Sequence, residues 1–534
     1  MGNVHAVEIV FLLLLLFIVL LGYLAKRLGT PYPIVLVVGG LLLSFIPHVP
    51  RVSLNPDLVF LVVLPPLLYH AAWLTSWREF SYHLVSIVLL AFGLVTFTVF
   101  GVTQGAEWLL PGFDWRVGLL LGAVVAPTDA IAATTIAKRI GLPKRIVDIL
   151  EGESLLNDAT ALLALEFGIA LLLGSERPTF TAGLLRLLYL TLAGVAVGLA
   201  LGEVVHQVED HIEDGPIEIA LSLLTPYAAY LAAESVRASG VLAVVACGLY
   251  LTRRSSHFYS PAVRLQAWAV WDSLGFILNG FVFLLIGLQL PYVLSAMPQY
   301  KASTLMMYGA GFSAFLIVLR LIWVYPGTFF ANVIRERVLH QKEPKPSLRS
   351  IFVVGWTGMR GVISLAAAVS LPQVLANGEP FTQRNMIIFL TFSAILVTLV
   401  LQGLTLPPLI RALGLAGSSS TGSEEKEARR AMAEAALRHL EIASQKGDSK
   451  INEVYDDLAQ HYRHRLATLN DGDSADASAA AFYKRFVDVS RELIEVERRT
   501  AIELRNQRRI SDSLLRDLEY ELDLSDIRLV ERQS

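Results

Sequence analysis

The chain has 534 residues, of which 54% are hydrophobic and 17% are charged, with a mean hydropathy of +0.55 and a net charge of −3. Soluble domains carry about 25% charged residues, so the composition excludes an ordinary soluble protein and predicts a polytopic membrane protein. No basic patch indicates nucleic-acid binding. The single Cys247 excludes an internal disulfide and argues against a thiol-based metal site.

Apolar segments of about 20 residues, the length that crosses a bilayer, recur along the first 410 residues. They predict an all-α membrane domain with thirteen spans. The predicted spans are residues 7–25, 33–49, 57–73, 83–104, 115–136, 149–173, 182–205, 216–234, 239–252, 268–289, 303–332, 350–371 and 386–410. With the N-terminus outside, fifteen Lys and Arg fall in inside loops and seven in outside segments, which fits the positive-inside rule. The odd number of spans then predicts a cytoplasmic C-terminal part.

Two of these spans are interrupted. The fifth contains Ala126-Pro127-Thr128-Asp129-Ala130, and the twelfth contains Gly355-Trp356-Thr357-Gly358-Met359-Arg360-Gly361. If the seventh span links a first half of six spans to a second half of six spans, each interrupted span is the fifth of its half. Broken helices at corresponding positions of two repeats indicate a transporter's binding site. Close helix packing would explain the glycines but not Asp129 or Arg360, so we expect paired broken helices.

The sixth span carries Gly152-Glu153-Ser154-Leu155-Leu156-Asn157-Asp158. An acid at the centre of a bilayer costs ~2.5–3.5 kcal/mol on insertion scales, so its default interpretation is functional. On a helix, Glu153 and Asn157 share one face, and Ser154 and Asp158 share the adjacent one. These residues therefore predict a small surface rich in oxygen atoms inside an apolar wall.

Asp158 is the predicted ion carrier. A carboxylate in an apolar cavity resists ionisation, so it holds either a proton or a paired cation, and these two states exclude each other. Competition for one carboxylate, combined with alternating access, is sufficient to exchange one cation for one proton. The oxygens of Thr128, Ser154 and Asn157 are the ligand type that hard cations prefer.

Asn157 also bears on the stoichiometry. A second acid at this position would add a charge, whereas a neutral amide leaves one titrating carrier, so we predict electroneutral exchange. Alternatively, Asn157 bonds to a carbonyl group of a broken helix, and the two roles are compatible.

Arg320 lies deep in the eleventh span and needs an acidic partner, because arginine does not readily deprotonate. Glu153 is the predicted partner, and Asp129 is the alternative. For the Glu153–Arg320 pair a structural role is favoured over direct ion binding. In the tenth span, Asp272 and Asn279 have the seven-residue spacing of a shared helix face.

Residues 418–534 hold 43 of the 91 charged residues, so the chain changes character after the last span. We predict a membrane domain over 1–412, a flexible linker over 413–423 and a helical cytoplasmic domain over 424–534. The helical patterns cover 424–446, 449–469 and a longer amphipathic stretch from 479 to 523, with Phe486, Val489, Leu493 and Val496 on one stripe. The domain is interpreted as packing on itself or on a twin, with a regulatory sensor as the alternative.

Three motifs resemble those of the monovalent cation:proton antiporter-1 family, the sodium/proton exchangers: Pro127-Thr128-Asp129, Gly152-Glu153-Ser154-x-x-Asn157-Asp158 and Gly358-Met359-Arg360-Gly361. The resemblance covers residues 5–412. It implies thirteen spans, an inverted repeat with two crossing broken helices (spans 5 and 12), a homodimer and electroneutral Na⁺/H⁺ exchange without a cofactor.

By the same resemblance, Asp158 binds the transported Na⁺ with Thr128 and Ser154, helped by Asn157 and Asp129. Glu153 pairs with Arg320, and Arg360 stabilises the crossing near Asp129. Some relatives carry an acid where this chain has His70. The tail resembles those of bacterial members and implies a bacterial inner membrane.

Other functions compete with this interpretation. A K⁺/H⁺ exchanger of the same fold fits the same residues. An intramembrane aspartyl protease would use Asp129 with Asp158, and no His-Glu-x-x-His zinc motif is present. A cation channel, or a sensor that signals through the tail, is the third class.

Overall fold

The computed structural model describes residues 2–46, 56–173, 180–212, 214–340, 346–375, 378–417, 421–444, 449–469, 474–507, 509 and 512–530. The described residues are helical apart from their connections and one isolated bridge between Val374 and Pro380. The chain forms two compact units, Met1–Ser419 and Ser420–Ser534. The predicted all-helical fold is therefore confirmed.

The helices of the first unit follow the predicted segments. In chain order they are α1 (Gly2–Leu28), α2 (Tyr32–Leu43), α3 (Pro56–Leu58), α4 (Leu64–Leu74), α5 (Trp77–Val88), α6 (Val95–Leu109), α7 (Trp115–Val125), α8 (Ala130–Ile140), α9 (Lys144–Leu172), α10 (Phe180–Glu209), α11 (Gly215–Ser235), α12 (Gly240–Phe258), α13 (Pro261–Leu288), α14 (Leu290–Ser295), α15 (Ala302–Arg337), α16 (Leu348–Trp356), α17 (Val362–Val369), α18 (Arg384–Val397) and α19 (Gly403–Ala412). Short π-helical turns link α3 to α4, α5 to α6 and α18 to α19.

Within the described residues, eight helices are long and apolar enough to cross a bilayer. They are Ile9–Leu28, Trp77–Leu109, Lys144–Leu172, Thr181–Glu209, Gly215–Ser235, Pro261–Ser295, Ala302–Arg337 and Arg384–Ala412. Shorter apolar helices occupy Tyr32–Leu43, Val59–Leu74 and Trp115–Val125. The all-α membrane architecture stands, and the number of thirteen crossings stays a prediction.

Two interrupted helices lie at the centre of the first unit. The fifth predicted span is broken between α7 and α8, and the twelfth between α16 and α17, as predicted. α7 packs on α6 and α9, and α17 packs on α7 and α18. The breaks thus lie among packed helices, and the backbone groups that they leave unpaired need partners within the protein.

In the second unit the described residues form four helices, α20 (Thr421–Ser444), α21 (Ser449–Leu469), α22 (Ser474–Asn506) and α23 (Asp512–Val530). α20 begins within the segment expected to be a linker. The long stretch expected over 479–523 is two helices rather than one. Ion pairs between Arg491 and Asp526 (3.0 Å) and between Arg498 and Asp523 (2.7 Å) show that α23 folds back along α22.

The predicted apolar stripe of α22 is not its packed face. Phe486, Leu493 and Val496 are 41–58% exposed, whereas Tyr483 and Val487 are buried. Packing of this stripe on a twin chain, the alternative that the sequence leaves open, stays a prediction, because the 3–4 spacing marks an apolar face and does not decide what covers it.

Candidate functional site

The first break unwinds Ala126–Asp129 between α7 and α8. Pro127 has no backbone N–H to donate, which favours an interruption at this point. Asp129 caps α8, because its Oδ1 accepts a hydrogen bond from the Ile131 backbone N–H at 2.8 Å. The carboxylate of Asp129 therefore faces the positive end of the helix dipole of α8.

The second break, between Trp356 and Val362, lies against the first. The backbone N–H of Asp129 donates to the Met359 carbonyl oxygen at 2.8 Å. The buried guanidinium of Arg360 donates to the carbonyl oxygens of Ala126 (3.2 Å) and Pro127 (3.5 Å). The breaks thus satisfy each other's backbone groups.

Arg360 therefore contacts the crossing break through carbonyl groups rather than through the carboxylate of Asp129. Within the described residues its guanidinium bonds to carbonyl groups of the first break and forms no ion pair with Asp129. Its own backbone N–H donates to the Thr398 hydroxyl at 3.1 Å. Arg360 compensates the negative ends of the α7 peptide dipoles, and Asp129 separately compensates the positive end of α8.

Glycines make this close approach possible. A Cβ atom on Gly361 would lie 2.6 Å from the Asp129 Cβ, and one on Gly358 would overlap the Arg320 Cδ. A real Cβ atom does not approach another side chain this closely. The second break therefore needs glycine at position 361, which faces Asp129, and at position 358, which faces Arg320.

Arg320 and Glu153 form a buried bidentate ion pair between α15 and α9. Arg320 Nη1 lies 2.5 Å from Glu153 Oε1, and Nη2 lies 2.8 Å from Oε2. Nη2 also donates to the Val354 carbonyl oxygen of α16 at 3.2 Å. The two side chains are only 1–2% exposed. A parallel, doubly bonded geometry satisfies both charges at once and fixes α9 against α15 and α16.

Thr128 connects this pair to the first break. Its hydroxyl donates to Glu153 Oε1 at 3.0 Å and accepts from Asn157 Nδ2 at 2.5 Å. The hydroxyl of Ser154 donates to the Thr128 carbonyl oxygen at 2.9 Å. The predicted oxygen-rich face of α9 therefore lies against the unwound segment.

Asp158 differs from the other acids of this region. It is 5% exposed, and within the described residues its carboxylate has no hydrogen bond or ion pair. It lines a cavity of about 390 Å³ together with Thr128, Asp129 and Ser154. Asn157 does not line the cavity: it lies behind Thr128, and its Oδ1 is buried without a partner.

The cavity reaches helix ends that carry His70, Lys138, Glu151 and Asp272, the ends predicted from the sequence to be cytoplasmic. His70 Nε2 lies 3.4 Å from Asp272 Oδ1 on one wall, and Lys138 Nζ lies 2.7 Å from Glu151 Oε1 on another. Asn279 lines it as well, so the spacing of Asp272 and Asn279 indicated the correct face. Lys138 and Glu151 also line the cavity, and their sequence positions do not indicate it, because charges at the end of a span are usually solvated.

Comparisons with known proteins identify the family of the chain. The model of the family described as sodium/hydrogen exchanger, transmembrane, matches residues 13–412. The chain belongs to the sodium/hydrogen exchanger family. The chain is therefore a cation/proton antiporter family member, a transporter and not an enzyme.

Relatives match along most of the chain. An uncharacterized Na⁺/H⁺ exchanger of Mycobacterium bovis is 35% identical over 93% of this chain and 92% of its own length. A sodium, potassium, lithium and rubidium/H⁺ antiporter of Bacillus pumilus is 31% identical over 82% of this chain and 66% of its own length.

A solved structure has the same fold. The sodium proton antiporter MjNhaP1 of Methanocaldococcus jannaschii, determined at pH 8, covers 77% of this chain and 99% of its own, with a TM-score of 0.60 at 20% identity. This likeness concerns the fold alone, and it agrees with the all-helical membrane architecture described above.

The buried pair can be tested by neutralisation. Glu153→Gln or Arg320→Gln alone strands a buried charge, so each should destabilise the protein by about 3–5 kcal/mol. The double variant Glu153→Gln/Arg320→Gln should be less destabilised than the sum of the two, because neither charge is stranded. Thermal unfolding in detergent, followed by intrinsic fluorescence, measures this difference. Additive losses would contradict the pairing.

Proposed function

We propose that this family member exchanges a monovalent cation, with Na⁺ as the expected substrate, for H⁺ by alternating access at Asp158. The observation that carries the proposal is the unpartnered carboxylate of Asp158 at a cavity between two broken helices. A carboxylate in such a position accepts a proton or a hard cation.

The other acids of the cavity already have partners. Asp129 accepts from a backbone N–H, Asp272 lies beside His70, and Glu151 is paired with Lys138. Asp158 is therefore the cavity-lining carboxylate, among the described residues, that is left to bind the substrate.

The proposed Na⁺ ligands are the Asp158 carboxylate and the hydroxyl oxygens of Thr128 and Ser154, with Asp129 in the same wall. Asn157 contributes indirectly, by donating to the Thr128 hydroxyl. Glu153 and Arg320 hold α9 in place, and Arg360 stabilises the unwound backbone. The reach of the cavity to the predicted cytoplasmic ends of its helices supports an inward-facing step in the proposed cycle.

K⁺/H⁺ exchange is the second candidate. Its support is that one relative is described as an antiporter for sodium, potassium, lithium and rubidium. A protease mechanism lacks support, because Asp129 caps α8 and is not paired with Asp158. A channel would differ from an exchanger by conducting current without saturating exchange.

We further propose that residues 1–412 form the exchanger domain, 413–423 a linker and 424–534 a cytoplasmic domain. The excess of Lys and Arg in the predicted inside loops supports this orientation. A bacterial inner membrane and a homodimer follow from the family resemblance.

The carrier role of Asp158 predicts a specific loss. Asp158→Asn should fold normally and abolish exchange, because an amide cannot release a proton at neutral pH. Proteoliposomes with an imposed Na⁺, Li⁺ or K⁺ gradient and an internal pH dye measure exchange. The matched control is Glu166→Gln, an exposed acid on the same helix that does not line the cavity, and it should retain exchange. Exchange retained by Asp158→Asn would remove Asp158 as the carrier.

A single titrating carrier also predicts electroneutral exchange. One cation exchanged for one proton moves no net charge, whereas each net charge would contribute about 2.3 kcal/mol per 100 mV. Exchange rates in proteoliposomes should therefore not change when a K⁺ diffusion potential is imposed with valinomycin, using Na⁺ as the substrate. A rate that follows the potential would indicate an additional proton and contradict this stoichiometry.

A further inference from the structure

A second cavity lies where four helix ends meet on the side predicted to be cytoplasmic. It has a volume of about 530 Å³, and the ends of α1, α8 and α19 and the start of α2 line it. Each of the three helices that end there contributes a cation, Lys26, Arg139 and Arg411 respectively. The described residues that line the cavity include no Asp or Glu. Its volume is that of a typical ligand-binding cavity.

The cations of this cavity exceed what the helix ends need. Each lies in the last turn of its helix, where a positive charge compensates the negative end of the helix dipole, about half an elementary charge. The N-terminal end of α2, at Pro31 and Tyr32, adds positive potential and has no side-chain cap. The cavity therefore keeps an excess of positive charge.

No ion pair within the described residues neutralises this excess. Arg139 Nη1 donates to the Gly29 carbonyl oxygen at 2.5 Å, and Lys26 and Arg411 form no ion pair in the described part of the chain. By contrast, Lys138, the neighbour of Arg139, lies 2.7 Å from Glu151. The three cations are exposed, so a ligand meets them without a large desolvation cost. Such a concentration of one sign of charge attracts an anion.

The cavity also has an apolar wall that extends away from its charged rim. Gly22, Ala25 and Lys26 lie on one face of α1, so this wall runs about 6 Å along the helix axis toward the bilayer centre. Phe276 of α13 closes it, with its ring so near that a Cβ atom on Gly22 would lie 2.8 Å away. A ligand with an anionic head and an apolar body fits both parts, whereas an inorganic anion would contact only the rim.

We propose that this cavity binds the phosphate group of an anionic phospholipid from the adjacent leaflet, predicted to be the cytoplasmic one. The phosphate oxygens accept hydrogen bonds from Lys26, Arg139 and Arg411, which are charge-assisted and therefore strong. The acyl chains continue along the exposed apolar surface of α1 beside the cavity, where Leu24 and Leu28 are 42% and 63% exposed.

The proposed lipid site shares a wall with the ion cavity. Tyr32, Thr135 and Phe276 line both cavities, and the rings of Tyr32 and Phe276 pack with 5.5 Å between their centroids. Without a bound anion, the cations of the lipid site raise the electrostatic potential beside the ion cavity and oppose the entry of a cation. A bound anionic lipid removes this excess and lowers the barrier to the substrate.

Native mass spectrometry of the full-length protein in detergent tests the binding site without transport. The wild type should bind phosphatidylglycerol more tightly than phosphatidylcholine, and Lys26→Gln/Arg411→Gln should weaken phosphatidylglycerol binding by about fivefold for each cation removed. The matched control is Arg27→Gln/Arg78→Gln, two exposed cations at predicted cytoplasmic helix ends that do not line the cavity, and it should bind as the wild type does. Equal binding by the two double variants would overturn the proposal, as would displacement of the lipid by inorganic phosphate, which would indicate a site for a soluble anion.

Photo-crosslinking locates the lipid in the wild-type chain and needs no variant. A phosphatidylglycerol with a photoreactive group near its head is activated in proteoliposomes, and the labelled peptides are mapped. We expect labels within residues 22–32, 135–140 and 407–416, with less labelling when unlabelled phosphatidylglycerol competes. Labels confined to other parts of the chain would contradict the proposed site.

The effect on the ion cavity rests on the proposed exchange and is tested separately. In proteoliposomes, the wild-type KM for Na⁺ should fall as phosphatidylglycerol replaces phosphatidylcholine. Arg27→Gln/Arg78→Gln should show the same fall, whereas Lys26→Gln/Arg411→Gln should have a lower KM in phosphatidylcholine and a smaller response. Equal responses of the two double variants would show that the site does not act on ion entry. If the wild type shows no exchange but binds phosphatidylglycerol at this cavity, the proposed function fails and the lipid site stands.

Discussion

The structure depends on one constraint: unwound backbone inside a membrane domain must bond to the protein itself. The two breaks meet this constraint by bonding to each other, through the Asp129 N–H to the Met359 carbonyl and through the Arg360 guanidinium to the Ala126 and Pro127 carbonyls. This mutual bonding holds Thr128 in an extended segment against α9. It thereby leaves a polar surface beside Asp158 without exposing unsatisfied peptide groups.

The distribution of charge around the breaks follows from the same constraint. Arg320 and Glu153 neutralise each other, and Asp129 is held by the N-terminal end of α8. Each of these charges stabilises a helix or a crossing. Asp158 has no such role and lines the cavity, so it is the side chain whose protonation and ion binding the fold leaves open. The structural charge of Glu153 and the proposed transport charge of Asp158 are therefore separated by only a few residues of one helix.

The sequence predicted the features that have local causes. Pro127 and the glycines of the twelfth span indicated both breaks, and an arginine in an apolar span indicated a buried acid as partner. It did not predict whether Arg360 bonds to a carboxylate or to carbonyls, because both satisfy a guanidinium and only the crossing geometry decides. For the same reason the position of Asn157 behind Thr128 required the three-dimensional arrangement.

Proton release on cation binding tests the central claim most directly. Calorimetric titration of the detergent-solubilised protein with Na⁺, repeated in buffers of different ionisation enthalpy, measures the protons released for each cation bound. If the carboxylate of Asp158 holds either a proton or a cation, binding below the titration midpoint should release a proton for each Na⁺ bound. Na⁺ binding with no proton release at any pH would contradict the account.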